Sequence, residues 1–144
     1  MARIRLSMPG KFIFTTEVPV RITDLNYGGH VGNDTILTLI HEARMLFLRN
    51  AGYTEMNAAG ASLIMADVGI EFKNELFYGD RLQVKIIAAE FTRVGFDIFY
   101  QLEKISGDQS SIIALAKTGM VCYNYEQKKV TSLPEELIRT LGAS

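Results

Sequence analysis

The chain predicts an α+β fold: an antiparallel sheet wrapped around one long central helix. Three observations carry that prediction. One extended stretch has helical period, between Asn33 and Gly52. Several stretches before and after it alternate with strand period. Short turns join the later strands, which makes them antiparallel neighbours, and one apolar helix is left for the sheet to cover.

The first alternating stretch is residues 12–23. Phe12, Phe14, Thr16, Val18, Val20 and Ile22 fall on one face, and Thr15, Glu17, Arg21 and Thr23 on the other. That is a half-buried strand. Pro19 has no N–H to donate and suggests an edge position or a bulge.

The helix follows. Ile36, Leu39, Ile40, Ala43, Leu46 and Phe47 form one stripe, widened by Leu37 and Leu48. Asn33 or Asp34 can cap its start. Arg44 and Arg49 suit its C-terminal half, and Gly52 its stop.

Strands then take over. Residues 63–73 alternate through Ile64, Ala66, Val68, Ile70 and Phe72. Tyr78-Gly79-Asp80 reads as a turn. Residues 82–93 and 95–104 form two strands joined near Val94, Ser106-Gly107-Asp108 is a turn, and residues 112–125 are a long last strand. Residues 134–141 form a short helix opened by proline. Residues 82–89 and 112–116 are apolar on both faces. One face covers the helix, and the other calls for a second partner, so a homodimer or larger assembly is expected.

The chain has 144 residues, a length that fits a single domain spanning 1–144. Such a chain buries roughly 68–70% of its unfolded surface and needs no staples. With 15 basic and 16 acidic residues its formal charge is −1, unlike the basic excess of nucleic-acid binders. Cys122 is the only cysteine, so no internal disulfide forms. No segment has the apolar length of a signal peptide or a membrane span. A soluble, cytoplasmic protein is expected. Two histidines and one cysteine make a poor metal-ligand set, and no metal or organic cofactor is expected.

Residues 24–44, DLNYGGHVGNDTILTLIHEAR, carry most of the chemistry. A carboxylate ends a strand, a Gly-Gly-His turn follows, and a helix N-terminus comes next. A base or nucleophile beside preorganised N–H donors is a way to build an acyl-transfer site.

These residues resemble the hotdog-fold acyl-CoA thioesterases of the 4-hydroxybenzoyl-CoA thioesterase type. The likeness rests on Asp24 closing the first strand, Gly29 five residues on, Glu42-Ala43-Arg44 in the helix, and Phe77-Tyr78-Gly79-Asp80-Arg81-Leu82 entering the third strand. It implies that Asp24 is the catalytic carboxylate, as nucleophile or as general base for water. It implies that N–H groups of Gly29, His30 and Val31 polarise the thioester carbonyl. It implies a CoA arm across a subunit boundary and an acyl chain beside the helix. The substrate would be an acyl-CoA or acyl-carrier-protein thioester.

The sequence departs from the family pattern at the helix start. Some relatives carry a histidine where Asn33 stands. Others carry an HVNN string, which here is His30-Val31-Gly32-Asn33.

Each residue also has a structural reading. Asp24 can be a turn former that bonds nearby N–H groups. His30 can bridge turn and helix, or touch substrate or Asp24. Asn33 can be a helix cap, or can orient water or a carbonyl. Glu42, in mid-helix, is a reserve catalytic candidate or a solvated charge. Asp67 can approach the site or a dimer seam. Lys73, Lys85, Arg93 and Lys117 are candidates for CoA phosphates.

Two other functions fit in part. An enoyl-CoA hydratase or dehydratase would use Asp24, Asn26 and His30, although Tyr27 stands where its motif has proline. A non-catalytic acyl-CoA-binding module would use the same groove without turnover.

Overall fold

The computed structural model describes residues 1–142. Among them six strands form one sheet: β1 (Phe14–Pro19), β2 (Ser62–Phe72), β3 (Arg81–Ala89), β4 (Gly95–Ser106), β5 (Gln109–Asn124) and β6 (Lys129–Val130). Helix α1 spans Asn33–Asn50, helix α2 spans Glu135–Leu141, and a 3₁₀ turn spans Ile22–Asp24. The strand order is β1-β3-β4-β5-β2 with β6 beside β5, and every pairing is antiparallel.

The sheet wraps α1 because alternate residues of each central strand are large and apolar. Val84 and Ile86 of β3, Ile98 and Leu102 of β4, and Met120 and Cys122 of β5 are buried against Ile36, Leu39, Ile40, Ala43 and Phe47 of the helix. Each such Ile or Leu contributes about 1.5–3 kcal/mol by leaving water. Helix α1 stops at Gly52, which adopts φ +86. That left-handed residue lets the Tyr53 N–H reach back to the Leu48 carbonyl at 2.9 Å.

Four details differ from the sequence expectation. Strand β1 ends at Pro19, and residues 22–24 turn into the 3₁₀ segment. Ile22 is therefore 64% exposed rather than facing the core. Helix α1 is capped by the extended backbone of Gly32, with no side-chain cap from Asn33 or Asp34. Arg44 lies on the core face of α1 and is buried, because it falls one turn beyond Ile40 on the apolar stripe. In β2 the register shifts between Met65 and Asp67. Ala66 is the extra residue of a bulge, so Leu63 and Ile70, not Ile64 and Ile70, share the face toward α1.

The second apolar face of the sheet has a cover within the chain. Residues 1–13 leave β1 and cross the face opposite α1. The Ile13 N–H bonds the Ile86 carbonyl at 2.9 Å. Gly10 sits over the Ile87 side chain, Ile4 sits over Gly69, and the Leu6 N–H donates to Glu71 Oε1 at 3.0 Å.

Candidate active site

The turn between β1 and α1 is built by short-range hydrogen bonds. The Asp24 N–H bonds the Arg21 carbonyl at 2.9 Å, and Asp24 Oδ2 accepts the Arg21 N–H at 2.8 Å. Asp24 Oδ1 accepts the Arg21 guanidinium at a longer 3.2 Å. Asp24 is 3% exposed, whereas the Arg21 side chain is 63% exposed. The carboxylate thus closes its own turn, and one oxygen is held only by a solvent-exposed side chain.

From Leu25 the chain reverses on itself. Leu25 bridges Val31, the Asn26 N–H bonds the His30 carbonyl at 2.8 Å, and the Gly29 N–H bonds the Asn26 carbonyl at 3.0 Å. Asn26 Oδ1 accepts the Gly28 N–H at 2.8 Å, a side-chain turn that asparagine supplies readily. Gly29 adopts φ +86, which a side chain there would resist.

The Phe77–Asp80 turn clamps this reversal from the other side. His30 bridges Phe77, and the Val31 N–H donates to the Leu76 carbonyl at 2.8 Å. The Phe77 ring meets the His30 ring edge-on with centroids 6.3 Å apart. Asp80 Oδ2 in turn accepts the Phe77 N–H at 2.8 Å. Two sequence motifs, joined at His30 and Phe77, 47 positions apart, therefore form one unit.

This arrangement revises the expected N–H donors. The Gly29 and Val31 N–H groups are already bonded to backbone carbonyls. Among the described residues, the N–H groups of His30, Asn33 and Asp34 have no acceptor. The last two point out of the first turn of α1, where the helix dipole favours negative charge. His30 Nδ1 donates to the Val31 carbonyl at 3.2 Å, because a carbonyl can only accept. Nε2 lies outside that bond, on the Gly28 side of the turn.

A groove of about 300 Å³ runs from Arg21 along α1, lined by Val18, Pro19, Thr38, Leu39, His41, Glu42 and Met45. Glu42 is exposed on its wall. Asn33 is exposed at the first position of α1. Asp67 lies on the face opposite α1, where it pairs with Lys117 Nζ at 2.8 Å and accepts the Gly119 N–H at 2.9 Å. Burial raises the pKa of the neighbouring Asp97, while Lys117, 3.5 Å away, opposes that. Lys73 and Lys85 are likewise held in ion pairs, with Glu71 and Glu103. Lys104 was not anticipated: its Nζ lies 6.0 Å from the Phe77 ring centre, beside the His30 clamp.

The sequence reading also missed a buried polar chain behind the groove. Arg44 Nε donates to Glu55 Oε2 at 3.0 Å, and Arg44 Nη1 donates to the Tyr100 hydroxyl at 3.4 Å. Tyr100 and Thr118 share a 2.7 Å hydrogen bond, and His41 Nε2 meets Glu55 Oε1 at 2.9 Å. Burial pushes the Tyr100 phenol above its ordinary pKa, so it stays neutral. Burial alone would lower Arg44, but Tyr100 and Glu55 outweigh it and keep the guanidinium charged. The sequence signal was present: a charge inside an apolar stripe needs a partner.

A sheet wrapped on one central helix, with a clamped turn at the helix N-terminus, is the hotdog arrangement. The chain belongs to the Thioesterase-like superfamily, whose profile matches residues 20–141. It is 29% identical over 128 residues to a 1,4-dihydroxy-2-naphthoyl-CoA hydrolase of Rippkaea orientalis, covering 87% of this chain and 92% of that one. Its fold is similar to a 1,4-dihydroxy-2-naphthoyl-CoA thioesterase from Synechocystis (TM-score 0.79, 24% identity, 89% of this chain and 94% of that one). It is also similar to a 4-hydroxybenzoyl CoA thioesterase variant solved with 4-hydroxybenzoyl CoA (TM-score 0.78, 15% identity, 90% and 98%). Among the described residues no helix is long and apolar enough to cross a membrane.

Proposed function

We propose that this chain hydrolyses an acyl-CoA or acyl-carrier-protein thioester to a carboxylic acid and a free thiol. The observation that carries the reading is the N–H groups of His30, Asn33 and Asp34, left without an acceptor in the turn and the first turn of α1 that follow Asp24 in the chain. The thioester oxygen would sit on those donors as negative charge develops. Each well-aimed donor is worth roughly 3–4 kcal/mol in the transition state.

Asp24 acts as general base rather than as nucleophile. At 3% exposure its carboxylate does not open to a carbonyl carbon. Release of Oδ1 by the solvated Arg21 guanidinium would let that oxygen take a proton from one water. His30 Nε2 accepts from the same water and orients it. The leaving thiol, with a pKa of about 8.5, departs readily.

Exposure of Glu42 on the groove wall favours a second assignment, in which Glu42 is the base and Asp24 only closes the turn. The relatives named for dihydroxynaphthoyl-CoA put aromatic acyl-CoAs first among substrates to test. The assembly is a homodimer or homotetramer. Met65, Val68 and Phe72 lie exposed along the edge strand β2, which supports a second copy there.

The test is thiol release from short, long and aromatic acyl-CoAs. Turnover of any member supports the reading. Binding without release points to an acyl-CoA-binding module, and water addition to an enoyl-CoA points to a hydratase.

A further inference from the structure

We propose that residues 3–11 form an intramolecular strap that closes the outer face of the sheet to a second copy of the chain. This inference is independent of the catalytic reading.

The register defines the path of the strap. Ile87 pairs with Phe99, Phe99 with Lys117, and Lys117 with Gly69, so these residues form one row across β3, β4, β5 and β2 on the face away from α1. Gly10 stands over one end of the row, at Ile87, and Ile4 over the other, at Gly69. Three strand spacings amount to about 14 Å, and six extended residues reach about 20 Å, so the segment spans the row with slack for a diagonal course. Leu6 anchors it in the next row through its N–H on Glu71. That bond, ahead of Lys73, holds the Glu71 carboxyl below its ordinary pKa.

The burial pattern agrees. Leu6, Met8 and Phe12 are half-buried, while Arg3, Arg5 and Lys11 are exposed, and Ile4, at the end of the strap, keeps 56% of its surface in solvent. Beneath lie Ile87, Phe99 and Leu115, each less than a tenth exposed although they face away from α1. Without the strap they would form a contiguous apolar patch, and such patches drive association. The Lys85–Glu103 and Lys117–Asp67 pairs on the same face carry both signs of charge, which suits contact with an identical surface. The family profile matches residues 20–141 and does not include the strap.

Trypsin cleavage after Arg5 and native mass, measured on the full chain, test the inference. The Leu6→Asp/Met8→Asp variant should be cut on the order of tenfold faster than the parent, because cleavage follows the open population. Its particle mass should rise by association through the uncovered face. Glu71→Ala, which removes only the anchor, should accelerate cleavage by a smaller factor and serves if the double variant does not fold. Equal cleavage of the parent and both variants, or a freed strap with unchanged mass, would overturn the proposal.

Discussion

Arg44 of α1 and Glu55 of the α1–β2 connection are joined by a 3.0 Å ion-paired hydrogen bond, with the arginine on the core face of the helix. The pair ties the helix that carries the candidate site to the chain entering the sheet. Tyr100 and Thr118 extend the tie to β4 and β5.

Arg44→Ala should therefore cost about 3 kcal/mol, since removing one member of a buried pair strands the other. Urea unfolding followed by circular dichroism measures this. Arg44→Met should recover part of the loss by filling the space and removing the charge. Equal stability of parent and Arg44→Ala would show that the pair contributes nothing.

Cys122 provides a pH prediction. The side chain is wholly buried, and burial pushes its thiol pKa up to about 11. An unfolded thiol ionises near pH 8.5. Between those values the unfolded state holds fewer protons than the native state, so stability declines as pH rises. The expected loss between pH 8 and 11 is up to about 2–3 kcal/mol relative to Cys122→Ala. A parallel stability-versus-pH curve for the variant would contradict it. Alkylation of Cys122 in the native protein should likewise track unfolding.

The edge of β2 yields a third prediction. Val68 is 39% exposed on a strand with no neighbour on its outer side. Val68→Lys should weaken self-association without unfolding the chain, because edge charges oppose strand pairing. Light scattering across a dilution series reads the change. An unaltered dissociation midpoint would move the interface elsewhere.

Much of this architecture is legible in the sequence. Strands β2 to β5, helix α1 and helix α2 follow from apolar period and from Gly-containing turns, since long regular elements average over local exceptions. The likeness to thioesterases was carried by the two turns that the structure joins through His30 and Phe77. The rest depended on single contacts. Ala66 reverses the facing of β2 by one bulged residue. Val31 looks like a free donor until Leu76, 45 positions on, takes its N–H. The strap alternates Ile4, Leu6 and Met8 with Arg3, Arg5 and Ser7, but it joins no ladder, and only the tertiary fold reveals what it covers. In the sequence Arg44 reads as a match to the C-terminal half of the helix, because its partner Glu55 lies in an irregular connection.

His30→Ala should slow thioester hydrolysis about tenfold, less than loss of the base, because it removes a water-orienting acceptor and leaves the base in place. Steady-state kcat on a competent acyl-CoA, compared with parent, reads it. A loss larger than that of the carboxylate variant would indicate hydratase-like acid–base chemistry.

The most direct measurement is thiol release from an acyl-CoA panel by the parent, Asp24→Asn and Glu42→Gln. The account predicts that Asp24→Asn lowers kcat by about 100-fold or more while substrate still binds, and that Glu42→Gln leaves turnover near the parent value. Full turnover by Asp24→Asn together with collapse in Glu42→Gln would contradict it, transferring the base to the groove wall and leaving Asp24 as the residue that closes its own turn.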